Sequence, residues 1–552
     1  MVFKKNLPEY NKSKKRHNKQ KVQYSFFWIK IFHSVSILYN VLRYNIGMVK
    51  WRHLPYLILF LITLYGLYLS SSLVRLGEVN FFNDVARDFL LLEELDEKKI
   101  VLIGPRSNTN GLFHGPLWTY LSYPAYIVGN GNPIVVAWFW IVIAGVFLMS
   151  SFYMVKKLLG TLPALVFTTL TSIQMAPHIN GVFHSEATFF FIPMLFFTIC
   201  MYIQSKKKLY LALHFLALSI LIQLEVGVGI QFLILSVTLT IWFIYRHKLW
   251  NHLFVFSLVP IFLSNLIIFD LRNNLRMAKA LFSTGGTLNF FVPFKSWIEN
   301  RINNTASLQL FNNSENNAFI YMVFIIVMIA TILLIKNNGK YRHIYLLFLL
   351  YYFGYMILSF FNKGTILFHH VYLLIPLTCL WLVSFLAFKY YKILFILLIG
   401  IILYLNFTFA TGYIASRRPL IGIDYNSWKS LSDVAKEVID WQKGEEFGYF
   451  VFAPDAFAYQ PRYAMNYHFK TSKAKAFEYT KKPVTYVIAA PPPGDDPYMT
   501  HVWWRKVPVR ISSEPAKVKK FPSGFTIEKF NLTSDEQLVP HDRNIELRIH
   551  FR

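Results

Sequence analysis

Eleven runs of apolar residues, each close to the length that crosses the hydrocarbon core of a bilayer, recur along this chain of 552 residues. They fall near 54–72, 133–154, 161–178, 184–204, 209–223, 226–244, 251–269, 318–335, 343–361, 366–387 and 392–410. Inside lipid every backbone N–H and C=O needs a partner within the segment, so runs of this length and spacing form helices. Composition agrees: 55% of residues are hydrophobic and 15% charged, against roughly a quarter charged in an average soluble domain. The expected fold class is an all-α polytopic membrane protein with about eleven transmembrane helices.

The formal net charge of +27 would suggest nucleic acid on a soluble chain. Here Lys and Arg concentrate in an N-terminal arm (Lys4, Lys5, Lys12, Lys14, Lys15, Arg16, Lys19 and Lys21) and in short turns between apolar runs. That distribution is the positive-inside pattern, not a nucleic-acid footprint. With the arm in the cytoplasm, successive inner turns hold Lys156 and Lys157, Lys206 to Lys208, Arg246 and Lys248, Lys336, Lys340 and Arg342, and Lys389 and Lys392. Three larger pieces then lie outside the cell membrane: 73–132, 270–317 and everything after about 412.

Three regions are expected. Residues 1–53 read as a basic cytoplasmic tail, with either an interfacial helix or a partly ordered tail over 24–50. Residues 54–411 read as the transmembrane domain, and 412–552 as a small extracytoplasmic α/β domain. In the last, a helix is expected from Ser427 to Trp441 and strands at 449–452, 485–490, 507–511 and 525–530. It carries no glycine-rich phosphate loop, so no nucleotide is assigned to it. Cys200 and Cys379 sit within apolar runs and suggest neither pairing nor metal ligation.

Carboxylates are costly at membrane depth, so their placement is informative. Glu78, Asp84, Asp88, Glu93, Glu94, Asp96 and Glu97 follow the first span, Glu186 opens the fourth, Glu225 joins the fifth to the sixth and Asp270 ends the seventh, all on the outer side. In Asn83-Asp84-Val85-Ala86-Arg87-Asp88, a helical reading puts Asp84 and Asp88 on one face and Val85, Phe89 and Leu92 on an apolar one. Two carboxylates so placed can deprotonate a hydroxyl or bind a cation, and a plain interfacial helix with ion pairs explains the same spacing.

Further along, Gly104-Pro105-Arg106 and Gly111 to Tyr120 make a shaped loop bearing His114. Asp270-Leu271-Arg272-Asn273-Asn274-Leu275-Arg276 offers arginines that can grip a phosphate or simply meet lipid headgroups. Lys363, His369 and His370 flank the tenth span, and the two histidines are adjacent, which points them apart on a helix and disfavours a two-histidine metal site.

This order of parts resembles the GT-C glycosyltransferases, polytopic enzymes that take a sugar from a polyprenyl-phosphate lipid, and most closely the branch containing protein O-mannosyltransferases and aminoarabinose transferases. The resemblance rests on Asp84 to Asp88 after the first span, on Gly104-Pro105 and His114 to Trp118 later in that loop, and on Asp270 to Asn273 after the seventh. It spans about the first 410 residues in layout. The adjacent Asp-Glu pair of the mannosyltransferases is missing, and the wider Asp84/Asp88 pair stands in its place.

The resemblance implies a transfer, with inversion, from a polyprenyl-phosphate-linked sugar to an acceptor hydroxyl at the outer membrane face. Asp84, with Asp88 second, would orient or deprotonate the acceptor, or contact a divalent cation; no cofactor is required. Arg272, with Arg276 and Arg106 after it, would hold the donor phosphate. Further candidates are His114, Glu186, Glu225, Asp270, Lys363 and His369. The acceptor, whether protein, lipid or glycan, is not identified. A transporter or glycolipid flippase is the competing class, and a non-catalytic scaffold for the C-terminal domain is a third.

Overall fold

The computed structural model describes residues 53–107, 109–179, 183–282, 293–311, 317–337, 339, 341–361, 366–442, 444–454, 457–491 and 500–546. The basic tail, the segment 24–50 and Lys363 lie outside the described residues. The chain divides into two compact units, Met1–Phe60 and Leu61–Arg552. Of the first, the described part is the opening of helix α1 (Leu54–Ser70).

Each apolar run is helical. After α1 come α2 (Asn83–Lys98), α3 (Leu117–Val128), α4 (Pro133–Leu159), α5 (Thr161–Met175), α6 (Ile192–Ser205), α7 (Lys208–Leu224), α8 (Val226–His247), α9 (Leu258–Phe262) and α10 (Ser264–Arg272). They are followed by α11 (Arg276–Phe282), α12 (Phe294–Ala306), α13 (Asn317–Asn337), α14 (Arg342–Leu358), α15 (Phe368–Tyr372), α16 (Leu374–Ser384) and α17 (Lys389–Arg417).

Among the described residues seven helices are long and apolar enough to cross a membrane, or eight if the pair Trp250–Phe262 and Ser264–Arg272, bent by 57°, counts as one span. The remaining runs are shorter helices. Leu54–Ser70 and Lys208–Leu224 are apolar, whereas α5 carries Thr, Ser and Gln along its length. The chain is thus a multi-pass membrane protein. Its span Phe368–Ala387 is 89% buried by protein and forms the centre, while Ala318–Asn337 is 28% buried and presents its apolar surface outward, as a lipid-facing helix does.

Helix ends follow local chemistry. Asn132 caps α4 by accepting from the Ile134 N–H, with Pro133 at the first position where its missing N–H costs nothing. Lys156 and Lys157 sit in its last turn, where cations meet the negative end of the helix dipole.

The C-terminal region adds α18 (Trp428–Gln442), α19 (Tyr459–Ser472), short helices α20 (His501–Trp504) and α21 (Ser534–Leu538), and a sheet of five strands. The strands are β1 (Phe447–Phe452), β2 (Ala476–Glu478), β3 (Val484–Ala489), β4 (Lys517–Lys520) and β5 (Thr526–Asn531), in the order β2-β1-β3-β5-β4. β1 pairs in parallel with β2 and β3, and β5 pairs antiparallel with β3 and β4. Along β1 and β3 the two-residue period divides the side chains: Phe447, Tyr449, Val451, Tyr486 and Ile488 join the main core, and Phe450 and Val487 join a second cluster with Val509 and Ile511.

The expected strand at 507–511 is not one. Residues Arg505–Val509 form a helical turn containing Pro508, which removes a ladder donor, and the apolar side chains at 509 and 511 are buried beneath the sheet instead. The main core runs without interruption from Val85, Phe89 and Leu92 of α2 to Trp428, Leu431 and Tyr463 of the C-terminal helices.

Candidate active site

Helix α2 carries the first part of the site. Its apolar positions Val85, Phe89, Leu92 and Leu95 are buried on one side, and Asp84 in its first turn suits the positive end of the dipole. Asp84 is about half in water, its side chain 47% exposed, and lies 2.9 Å from Arg87 Nη1. Asp88, one turn on, is fully buried and 3.4 Å from Arg87 Nη2. Burial pushes the Asp88 carboxyl up to about 7, against the pull of the Arg87 guanidinium.

The second part is the glycine-rich loop, which forms a narrow ribbon. Gly104 N–H donates to the His114 carbonyl, His114 N–H to the Pro105 carbonyl, and Ser107 N–H to the Leu112 carbonyl, each at 2.9 Å. Glycine is required at both ends. A Cβ on Gly104 would lie 2.3 Å from the Gly115 carbonyl oxygen, and one on Gly115 would lie 1.6 Å from Gln223 Oε1. Overpacking of this kind costs about 1–3 kcal/mol, so Gly104→Ala, whose obstacle is backbone, should lower the unfolding midpoint and displace His114, read as lost activity in the same preparation.

The ribbon delivers His114 to the junction of α7 and α8. There the Val226 N–H donates to His114 Nδ1 at 3.2 Å, and Glu225 Oε1 lies 3.7 Å from the same nitrogen. Glu225 is buried, accepts a short hydrogen bond from the Ser185 hydroxyl, and is pushed by burial up to about 7. Burial, reinforced by His184 and Arg87, holds His114 well below its usual range and keeps the imidazole neutral.

His184 closes the set. It opens the 3₁₀ segment His184–Phe190 that leads into α6, and its Nδ1 lies 2.7 Å from Asp88 Oδ2. A neutral ring that donates from Nδ1 to a carboxylate presents a basic Nε2, which is how a carboxylate orients and strengthens a histidine base. The His114 and His184 ring centroids are 4.9 Å apart. One ligand atom from each of His114, His184 and Glu225 lies within 4.8 Å of the others. Around a single zinc ion, bonds of about 2 Å bring ligands to within about 3.5 Å, so an ion would draw these three inward.

The structure thus gathers Asp84, Asp88, His114 and Glu225 from the candidates read in the sequence, and adds Arg87, His184 and Ser185. His184 was hidden because it begins a run that reads as apolar; the polar triplet His184-Ser185-Glu186 was the available signal. Glu186 turns the other way, into a cavity lined by Trp140, Ile179, Phe183, Ala187, Phe190 and Tyr372. His369 lies one ring away, its centroid 5.9 Å from Phe183, whose ring is 4.4 Å from His184.

The remaining candidates sit elsewhere. Asp270 accepts from the N–H groups of Met277 (2.5 Å) and Ala278 (3.2 Å) and holds the start of α11. Arg272 is exposed at the end of α10. Arg276 lies 5.8 Å over the Phe113 ring, Arg106 bridges to Phe113 along the ribbon, and the Arg106 guanidinium stacks on Phe457 at 4.2 Å.

No protein family and no curated protein matches the sequence. Solved structures do. ArnT from Cupriavidus metallidurans in its apo state superposes with a TM-score of 0.54 at 11% identity, covering 87% of this chain and 98% of that one. The same protein bound to undecaprenyl phosphate gives 0.53 at 11% identity, over 88% and 99%. The Archaeoglobus fulgidus oligosaccharyltransferase gives 0.45 at 13% identity, over 90% and 76%, too distant to carry an argument. The chain folds as ArnT does, with a polytopic helical part followed by a small C-terminal α/β part.

Proposed function

We propose that this protein is a membrane glycosyltransferase that moves a sugar from a polyprenyl-phosphate lipid to an acceptor hydroxyl at the outer face of the cell membrane, inverting the anomeric centre. The observation that carries the proposal is the buried Asp88–His184 pair, held at 2.7 Å at the ends of apolar helices in a fold shared with a protein crystallised with undecaprenyl phosphate. The helix ends support the orientation. Basic residues occupy the last turns of α4, α8 and α13, whereas the site gathers at the junction of α7 with α8 and beyond the first span.

In this mechanism Asp84 meets the acceptor at the mouth of the site, and His184, oriented by Asp88, takes the hydroxyl proton as the oxygen attacks the anomeric carbon. The departing phosphate leaves on the opposite side, its charge met by Arg106 on the ribbon and by Arg276 at the start of α11 beside it, with Arg272 beyond them at the membrane face, while Arg87 stays paired with Asp84 and Asp88. Positioning and stabilisation of that leaving charge supply most of the rate. His114, His184 and Glu225 would hold a divalent cation as ligands, which would add charge at the same point; His184 Nε2 would then be a ligand, and Asp84 would be left to take the proton.

The proton acceptor works only when Asp88 is ionised. Turnover should therefore rise with pH through an acid limb near 7, the value to which burial lifts both Asp88 and Glu225. Rates of sugar transfer in proteoliposomes between about pH 5 and 9 test this; an acid limb at the ordinary carboxylate value of about 4 would remove Asp88 from the role. A flippase reading draws on the 57° break between α9 and α10. Transporters of that kind pair two such breaks across an internal repeat, and the described residues show one.

A further inference from the structure

Helix α2 has two working faces. Asp84, Arg87 and Asp88 lie on one, and Phe89, Glu93 and Asp96, spaced by four and three residues, lie on the other. The second face belongs to α19. Asn466 Nδ2 donates to Glu93 at 2.9 Å, Lys470 Nζ donates to Asp96 at 2.8 Å, and the Tyr463 ring packs edge-on to Phe89 at 5.3 Å.

The chain entering α2 is held from the same side. Gln460 Nε2 donates to the Phe81 carbonyl at 2.9 Å and to Asn426 Oδ1 at 2.7 Å, and the Phe81 N–H donates to the Asn426 carbonyl at 2.7 Å. Glu78, buried just past the first span, accepts from the Ser427 hydroxyl at 2.5 Å and from the Trp428 N–H at 2.7 Å. Its carboxylate thereby caps α18 from a position 350 residues earlier, satisfying a free N–H at the positive end of that helix.

We propose that the helix pair α18–α19 is a positioning element of the active site, and that Asn466, Gln460 and Glu78 are positioning residues that set α2 so that Asp88 meets His184. The proposal rests on the glycosyl-transfer reading for its kinetic readout. None of these contacts touches the face of α2 that carries Asp84 and Asp88. A misplacement of about 1 Å costs up to about 100-fold in rate, so loosening the rear face changes turnover and leaves donor binding alone.

The test uses the full chain in proteoliposomes with an undecaprenyl-phosphate-linked sugar. Asn466→Asp sets a second carboxylate against Glu93. The expected result is a fall in kcat of about tenfold or more, a donor KM within about twofold of wild type, and faster hydrogen exchange in the α2 amides with the spans unchanged. Combining Asn466→Asp with Glu93→Gln re-forms the bond in the reverse sense, amide donating to carboxylate, and restores kcat. A wild-type kcat in Asn466→Asp and in its combination with Gln460→Glu overturns the proposal, as does a loss that the swap does not restore. If the wild-type chain transfers no sugar, the glycosyl-transfer reading fails instead, and exchange then decides: α2 amides unchanged in Asn466→Asp overturn the positioning role.

Discussion

Asp88→Asn should lower turnover by about 10²- to 10⁴-fold, the range for loss of a positioned acid–base pair, with the fold intact. Asn has the shape of Asp and fits the same fully buried position. Arg87 keeps its partner Asp84 at 2.9 Å, so no buried charge is stranded. What disappears is the negative charge that holds the proton on His184 Nδ1 and leaves Nε2 basic. The acid limb near pH 7 should vanish with it. Asp84→Asn should cost less, because half of that side chain is already in water. Initial rates and the pH profile of both variants check the pair; equal rates in Asp88→Asn and wild type would assign the proton transfer elsewhere.

Arg87→Ala should be the most destabilising single change in the site. Arg87 is 7% exposed and Asp88 is 0%, and removing one partner of a buried ion pair costs about 3–5 kcal/mol. The cost should depend on pH in a defined direction. The Asp88 carboxyl is raised by burial to about 7 from about 3.9 in an unfolded chain, so between these values the folded state binds the extra proton. Stability associated with this group is therefore present at low pH and lost as pH rises through that window. Without Arg87 to oppose burial, Asp88 climbs further and the loss extends upward. Thermal unfolding of Arg87→Ala in detergent should lie close to wild type near pH 4 and well below it at pH 8. A gap that does not change with pH would mean that Arg87 supports the fold by packing alone.

Much of this was legible in the sequence, because the relevant signals are local. All eleven apolar runs are helices, since hydrophobicity over some twenty residues is a property of the run itself. The α2 helix, the helix beginning near Ser427 and three of the four expected strands were marked by period alone. The fourth failed where Pro508 breaks a ladder that apolar content suggested.

The site was half legible. Asp84 and Asp88 announce themselves by spacing, and His114 by its glycine-flanked loop. That His184 meets Asp88 across 96 residues, or that Val226 meets His114 across 112, is a result of helix packing that no window of sequence contains. The same holds for the C-terminal region. Its composition reads as a separate domain, yet Asn466 and Glu93 meet across 373 residues, and the main core passes through both. The arginines differ in the same way: Arg272 stands out beside Asp270 in sequence and is exposed at the end of α10, while Arg87, flanked by two acids in sequence, packs against both of them.

The most direct measurement follows one sugar. The purified chain in proteoliposomes is given undecaprenyl-phosphate carrying a radiolabelled sugar, with total envelope lipid and protein as acceptors. Glycosyl transfer predicts label in a new glycosidic bond of inverted configuration, release of one undecaprenyl phosphate for each sugar moved, and transfer slowed by about 100-fold or more in Asp88→Asn. Labelled donor that crosses the bilayer intact, with no new glycosidic bond formed, would contradict it.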